Sequence, residues 1–178
     1  MKASYRWLRE LLGPGFDLGP DEVARRLTGA GLEVEASSPY GAASVQVIVA
    51  RVVAKERHQS RDKLSLVTVE AGDRTQRVVC GAPNVPEPGG LVVLAPLGTH
   101  LPAVNMTLVP REIAGVTSEG MLCSEAELGL RTSGGGAGIL VLPEGSAQPG
   151  DRLADAIPES SDVIFEIGLT PNRPDGLG

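Results

Sequence analysis

Apolar positions alternate along VIFEIGL, residues 163–169. Val163, Phe165, Ile167 and Leu169 fall on one side at period two, the spacing of a half-buried strand. Near the start of the chain the period is different. In SYRWLRELL, Ser4 stands where an N-cap belongs, and Trp7, Leu8, Leu11 and Leu12 recur at i, i+1, i+4 and i+5. That spacing predicts a helix with one apolar stripe. GPGFDLG breaks it. A second helix is expected from Pro20, with Asp21 and Glu22 in the first turn, where the helix dipole favours acids. Val23, Leu27 and Ala30 form its buried face, and Gly29 or Gly31 ends it. GLEVEA then reads as a short strand, and SSPYGAAS as a linker by composition.

From Val45 the texture becomes β-rich. VQVIVARVVA, LSLVTVE, RVVCG and LVVLA are separated by HQSRDK, AGDRTQ and APNVPEPGG. LVPREIAG and GMLC follow, then GILVLP beyond the loop RTSGGGAG. One short helix is expected in SEAELGL, where Ser124 and Glu127 have capping-box spacing and Gly129 is a stop signal. About five short strands with one helix predict a small closed or partly open barrel. After Pro149-Gly150 the chain returns to a helical turn, DRLADAI, and the strand VIFEIGL. The expected fold class is therefore α+β. A five-stranded barrel over residues 44–148 is inserted into a small α+β domain made of residues 1–40 and 150–178. The last residues are LTPNRPDGLG. Pro171 and Pro174 restrict their neighbours, and Asp175-Gly176 is a turn signal. A specified turn after a strong strand is expected to lead into another element, so the chain reads as cut.

Composition sharpens this picture. Aromatic residues make up only 3%, so the core must be built from Val, Leu, Ala and Ile. The 23 Gly and 14 Pro suit many short strands better than long helices. No apolar run approaches the roughly 18 residues of a membrane span, and MKASYRWLRE lacks the apolar stretch of a secretory signal. Cys80 and Cys123 form no CxxC pair and no metal-ligand spacing. They read as buried free thiols in a reducing cytoplasm. The net charge of −6 argues against a protein that simply coats nucleic acid. Yet residues 51–77 hold seven basic side chains against four acidic ones, one mildly basic stretch in an acidic chain.

No constellation in the chain could run a reaction by itself. His58 and His100 are the only histidines, neither has metal-ligand spacing, and no GxSxG elbow exists. His100 lies in GTHLP, an expected exposed turn. Gly134–Gly136 lacks the Lys-Ser/Thr of a phosphate loop and reads as a mobile loop. Glu125 and Glu127 read as solvated acids on the short helix. Binding surfaces remain. HQSRDKL joins two expected strands and carries His58, Arg61 and Lys63, two cations and an imidazole that a barrel rim could set on phosphates. The composition by itself also fits a solvated loop. REIAGVTSEGMLCS sets Arg111, Ser118 and Glu119 beside a strand pair, with Gly115 and Gly120 able to admit a close backbone. Residues 44–148 contain no Phe, Trp or Tyr, so base stacking on aromatic platforms is excluded there. RNA contact would go to backbone or shape.

Four stretches in order, HQSRDKL, VVCGAPNV, REIAGVTSEGMLCSEAELGL and LTPNRPDGLG, resemble the N-terminal part of the bacterial phenylalanyl-tRNA synthetase beta subunit. SYRWLRELL and LTGAGLEVE match its opening, so the resemblance covers essentially the whole chain. It implies an OB-fold tRNA-binding domain inserted in a small α+β domain, and it makes TPNRPD an internal motif. In related OB domains the loop usually reads HPNADKL. Here His58, Asp62, Lys63 and Leu64 match, while Gln59, Ser60 and Arg61 replace Pro, Asn and Ala. Losing the proline removes preorganisation, and Arg61 adds a cation. The residues expected to contact tRNA are His58, Arg61, Lys63, Arg111 and Ser118. The resemblance implies a cytoplasmic heterotetramer with a synthetase alpha subunit, which carries the aminoacylation site. ATP and Mg²⁺ serve that holoenzyme, and this chain is expected to bind neither, nor phenylalanine, and to have no catalytic residue, cofactor, metal, membrane or DNA partner of its own. The competing readings are a stand-alone OB-fold tRNA-binding module without catalysis and a purely structural barrel in the assembly.

Overall fold

The structure is a computed structural model and describes residues 1–130 and 138–170. The TPNRPD motif beyond Thr170 and the Gly134–Gly136 loop lie outside the described residues. In chain order the elements are β1 (Lys2–Ser4), α1 (Tyr5–Leu12), α2 (Pro20–Gly29), β2 (Glu33–Tyr40), β3 (Ile48–Arg57), β4 (Ser65–Ala71), β5 (Arg74–Cys80) and β6 (Leu91–Pro96). Then come β7 (His100–Leu101), β8 (Met106–Thr107), β9 (Arg111–Ile113), β10 (Val116–Ser118), β11 (Gly120–Leu122), β12 (Val141–Leu142), α3 (Leu153–Ala156) and β13 (Asp162–Gly168).

One unit comprises Met1–Tyr40 with the segment from Asp162. Its antiparallel sheet has the order β1-β13-β2. The alternation in VIFEIGL is realised in β13, where Phe165 and Ile167 are buried with Val23 of α2. Ser4 caps α1 by accepting the Trp7 amide at 3.0 Å, and Asp162 accepts the Arg6 amide at the same helix end. The predicted stripe on α1 is not a buried one. Leu8 packs inward beside Tyr5, but Trp7, Leu11 and Leu12 are 56%, 65% and 61% exposed. On α2, Val23 and Leu27 face the core as expected, but Ala30 is an exposed cap and Ala24 packs in its place. The helix stops at left-handed Gly31 (φ 88°), where Leu32 N–H reaches the Leu27 carbonyl and Gly31 N–H that of Thr28. The expected linker SSPY is strand: Ser37, Ser38, Pro39 and Tyr40 pair with β13. Pro39 is tolerated because β2 is an edge strand.

The other unit is Gly41–Ser161. Five strands, in the order β11-β6-β3-β4-β5, wrap into a nearly closed antiparallel barrel, with β12 added on β6. Strand β3 makes the corner. Ile48–Arg51 pair with β6, Arg51–Arg57 pair with β4, and a register shift between Val52 and Ala54 bends it. Every barrel strand contributes to the interior: Ala50 and Val52, Val67 and Val69, Val78 and Cys80, Val92 and Leu94, and Leu122. No ring is needed to fill it. Leu91, Val93 and Ala95 point from the opposite face of β6 into a second cluster with Leu101, Cys123 and Leu153. Both faces of β6 are therefore buried, which explains its unbroken apolar run.

Two expectations change here. Residues 150–161 belong to the barrel unit, because Val49 N–H bonds the Asp151 carbonyl at 2.8 Å, Leu153 N–H bonds the Val47 carbonyl at 3.1 Å, and Leu153 is buried. SEAELGL is a single capped turn rather than a helix. Ser124 N–H and Oγ both donate to Glu127 Oε2 at 2.7 Å, and left-handed Gly129 (φ 72°) closes it immediately.

Candidate nucleic-acid interface

Residues 58–64 connect β3 to β4 as a loop closed on its own backbone. His58 N–H donates to the Leu64 carbonyl at 3.0 Å, and Leu64 N–H donates to the Arg61 carbonyl at 2.9 Å. The His58 ring faces inward and is 5% exposed. Its Nδ1 accepts the Ser60 amide at 3.2 Å, which leaves the ring proton for Nε2. The imidazole thus holds the loop shape that a proline would otherwise preset. It is not presented at the surface as a phosphate ligand.

Arg61 and Lys63 point outward and are exposed. Among the described residues neither has an ion-pair partner. By contrast, Lys55 is tied to the Val85 carbonyl at 2.7 Å and to Glu87 at 2.9 Å. The loop borders a groove of about 690 Å³ whose far wall is Ile113 and Ala114. That wall is the tip of the β9–β10 hairpin. Ala114 (φ 52°) and Gly115 (φ 85°) are both left-handed, as a two-residue turn matched to strand twist requires. Arg111 stands exposed on β9, opposite Ser118 of β10. Three cations, Arg61, Lys63 and Arg111, therefore lie on elements that border one groove.

Ser118 is placed differently from its expected role. It is 4% exposed, and its hydroxyl accepts the Val79 amide at 3.0 Å while donating to the Gly120 carbonyl at 2.9 Å. Glu119 continues the line: its carboxylate accepts the Arg77 amide at 3.0 Å, and its own N–H donates to the Arg77 carbonyl at 3.0 Å. Two side chains thus act as strand partners along β5 and close the barrel. Gly120 is required beside them, because a Cβ there would stand 2.9 Å from the Ala95 carbonyl oxygen.

Two further polar groups organise this end; spacing pointed to the Ser124–Glu127 box but not to Asn84. Asn84, from GAPN, clamps Ile139 by donating to its carbonyl and accepting its amide, each at 2.8 Å. Glu127, expected to be solvated, is half-buried and held by Ser124. His100 is exposed as expected, although it lies in β7, with Nδ1 3.0 Å from the Thr107 hydroxyl. Both thiols are free and buried. Burial pushes the Cys123 thiol up to about 12, with the Glu127 charge adding to it, and burial raises Cys80 as well. Among the described residues no cluster of His, Cys, Asp or Glu could hold a metal ion. No helix among them is long and apolar enough to cross a membrane.

The arrangement is a groove on an OB-type barrel, lined by Arg61, Asp62 and Lys63, with Arg111 on the strand that forms its far wall. A family model described as "Putative tRNA binding domain" matches residues 47–152. The chain belongs to this tRNA-binding-domain family. Its relatives include the phenylalanine–tRNA ligase beta subunit of Syntrophus aciditrophicus (strain SB), 45% identical over 177 residues, 99% of this chain and 21% of that protein. The beta subunit of Syntrophotalea carbinolica is 42% identical over 177 residues, with the same shares of each chain. The tRNA-binding domain and its flanking unit thus span about a fifth of the length of the curated relatives they match. A MetRS-related protein from Pyrococcus horikoshii aligns at 24% identity with a TM-score of 0.45, over 60% of this chain and 87% of that one.

Proposed function

We propose that the chain binds tRNA through the phosphate backbone, using Arg61, Lys63 and Arg111 around the groove between the 58–64 loop and the β9–β10 hairpin. The observation that carries this is a pair of exposed cations, Arg61 and Lys63, unpaired among the described residues, on a loop whose backbone is already fixed. Fixed geometry lowers the entropy lost on binding. The acidic net charge of −6 keeps non-specific affinity low, which favours a local cationic patch over coating. In the larger protein, we infer, this region serves a cytoplasmic phenylalanine–tRNA ligase beta subunit. Its alpha-subunit partner would supply aminoacylation with ATP and Mg²⁺. No step of that chemistry falls to residues of this chain.

The test is tRNA binding by the chain across a salt series. Weak binding that falls steeply with salt is expected. Arg61→Glu with Lys63→Glu should weaken it and flatten the log–log salt slope by about one unit for each phosphate no longer neutralised. An unchanged double variant would place the contact surface elsewhere.

A further inference from the structure

Strand β9 borders two concavities, because Ile113 lines both the basic-loop groove and a second crevice of about 700 Å³. The second has the size of an organic-ligand site. Its walls are mostly aliphatic and include the half-buried thioethers of Met106 and Met121. Among the described residues, Arg111 and Glu127 are the charged groups on its lining. Glu127 is oriented in advance: Ser124 N–H and Oγ both donate to Oε2 at 2.7 Å, while Oε1 has no protein donor among the described residues. A fixed carboxylate beside a cationic RNA groove repels phosphates. It is well suited instead to accept from a base amine, as acidic side chains do from cytosine N4. The barrel has no aromatic platform. Methionine sulfur is polarizable and packs favourably against ring systems, so it can fill that role.

We propose that this crevice takes one unpaired nucleobase of the bound RNA, a base with an exocyclic amine. Glu127 Oε1 accepts from the amine, and Met106 and Met121 pack on the ring. The backbone of the same strand runs over Arg61, Lys63 and Arg111. This rests on the tRNA-binding reading and adds a base preference to it. Cytosine presents the amine where uracil presents the O4 acceptor, so the two near-isosteric pyrimidines report on that edge of the base.

The chain has three methionines, Met1, Met106 and Met121, so methyl-¹³C methionine labelling gives two reporters in the crevice and one control. The probes are tRNA, short oligocytidylate, oligouridylate of equal length, and an abasic ribose-phosphate strand. Met106 and Met121 methyls are expected to shift with oligocytidylate and not with the abasic strand, while Met1 stays still. Oligocytidylate should bind about tenfold tighter than oligouridylate, the effect of one hydrogen bond to a charged group. Glu127→Gln keeps an oxygen for the Ser124 cap but turns the free acceptor into a donor. It should erase the preference and leave abasic-strand affinity unchanged. If tRNA binds and the two methyls stay silent, or shift equally with the abasic strand, the base pocket is refuted and the phosphate groove stands. If tRNA does not bind at all, both fall. The wild-type shifts decide the matter even if the variant misfolds.

Discussion

Cys123 is completely buried, and its thiol is pushed up to about 12 by loss of hydration and by the nearby Glu127 charge. In the unfolded chain the same thiol ionises near its ordinary value of 9.0. Its folded value is raised, so its contribution is fully present below about pH 9 and is lost as pH rises toward 12. Across that window the native state should lose about 1.4 kcal/mol per pH unit from this group. Urea denaturation of wild type and Cys123→Ala from pH 8 to 11 should show the alkaline limb shrinking in the variant. Parallel curves would mean that the thiol does not titrate there. Residue by residue, spacing located the candidate side chains but did not give the orientation of all of them. Arg61, Lys63 and Arg111 are outward, as cations without partners tend to be. His58 and Ser118 come from the same motifs but are turned inward, because each satisfies a backbone amide that spacing cannot reveal.

At the scale of elements, barrel closure depends on side chains standing in for a strand. Ser118→Ala would strip the Val79 amide of its acceptor in a buried seam. The expected loss is about 1–3 kcal/mol, read as a lower urea midpoint, with faster hydrogen exchange at Val79 and Arg77 than elsewhere in β5. A uniform change across β5 would show that the seam is not held locally. Capping was readable from local spacing: Ser4, Gly31 and the Ser124–Glu127 box all form as their positions suggested. The length of what they cap was not. The SEAELGL turn stops after one turn because left-handed Gly129 follows directly. In α1 the apolar stripe exists, but Leu8 alone of its four residues packs inward. Periodicity reports that a helix has an apolar side and does not say what covers it.

At the scale of the molecule, the chain holds two units with separate cores. The Gly41–Ser161 unit begins and ends at one place. Gly41 is left-handed (φ 60°), a Cβ on it would collide with the Ser160 carbonyl oxygen, and Ser44 Oγ donates to that same oxygen at 2.8 Å. Joined ends and a complete interior are the marks of an independent domain. Residues 41–161 expressed alone should unfold in one cooperative thermal transition and keep the salt-dependent tRNA binding of the full chain. A segment that stays unfolded, or folds without binding, would show that the flanking unit is needed. The same should fail for residues 44–148, which omit Gly41 and the Leu153 segment added on β3.

The sequence by itself determined the α+β class, the barrel inserted between two flanking segments, the helix caps and the cationic loop. The caps and the loop follow from local spacing, where each residue's neighbours along the chain are also its partners, and the insertion from the change of texture at Val45 and again after Gly150. Tertiary structure decided that SSPY is strand, that residues 150–161 complete the barrel, that Trp7, Leu11 and Leu12 face outward, and that His58 and Ser118 hold the site rather than form its surface. Three of these depend on a partner distant in sequence: β13 for Tyr40, Val47 for Leu153 and Val79 for Ser118. Burial and hydrogen bonding to such partners outweigh local composition.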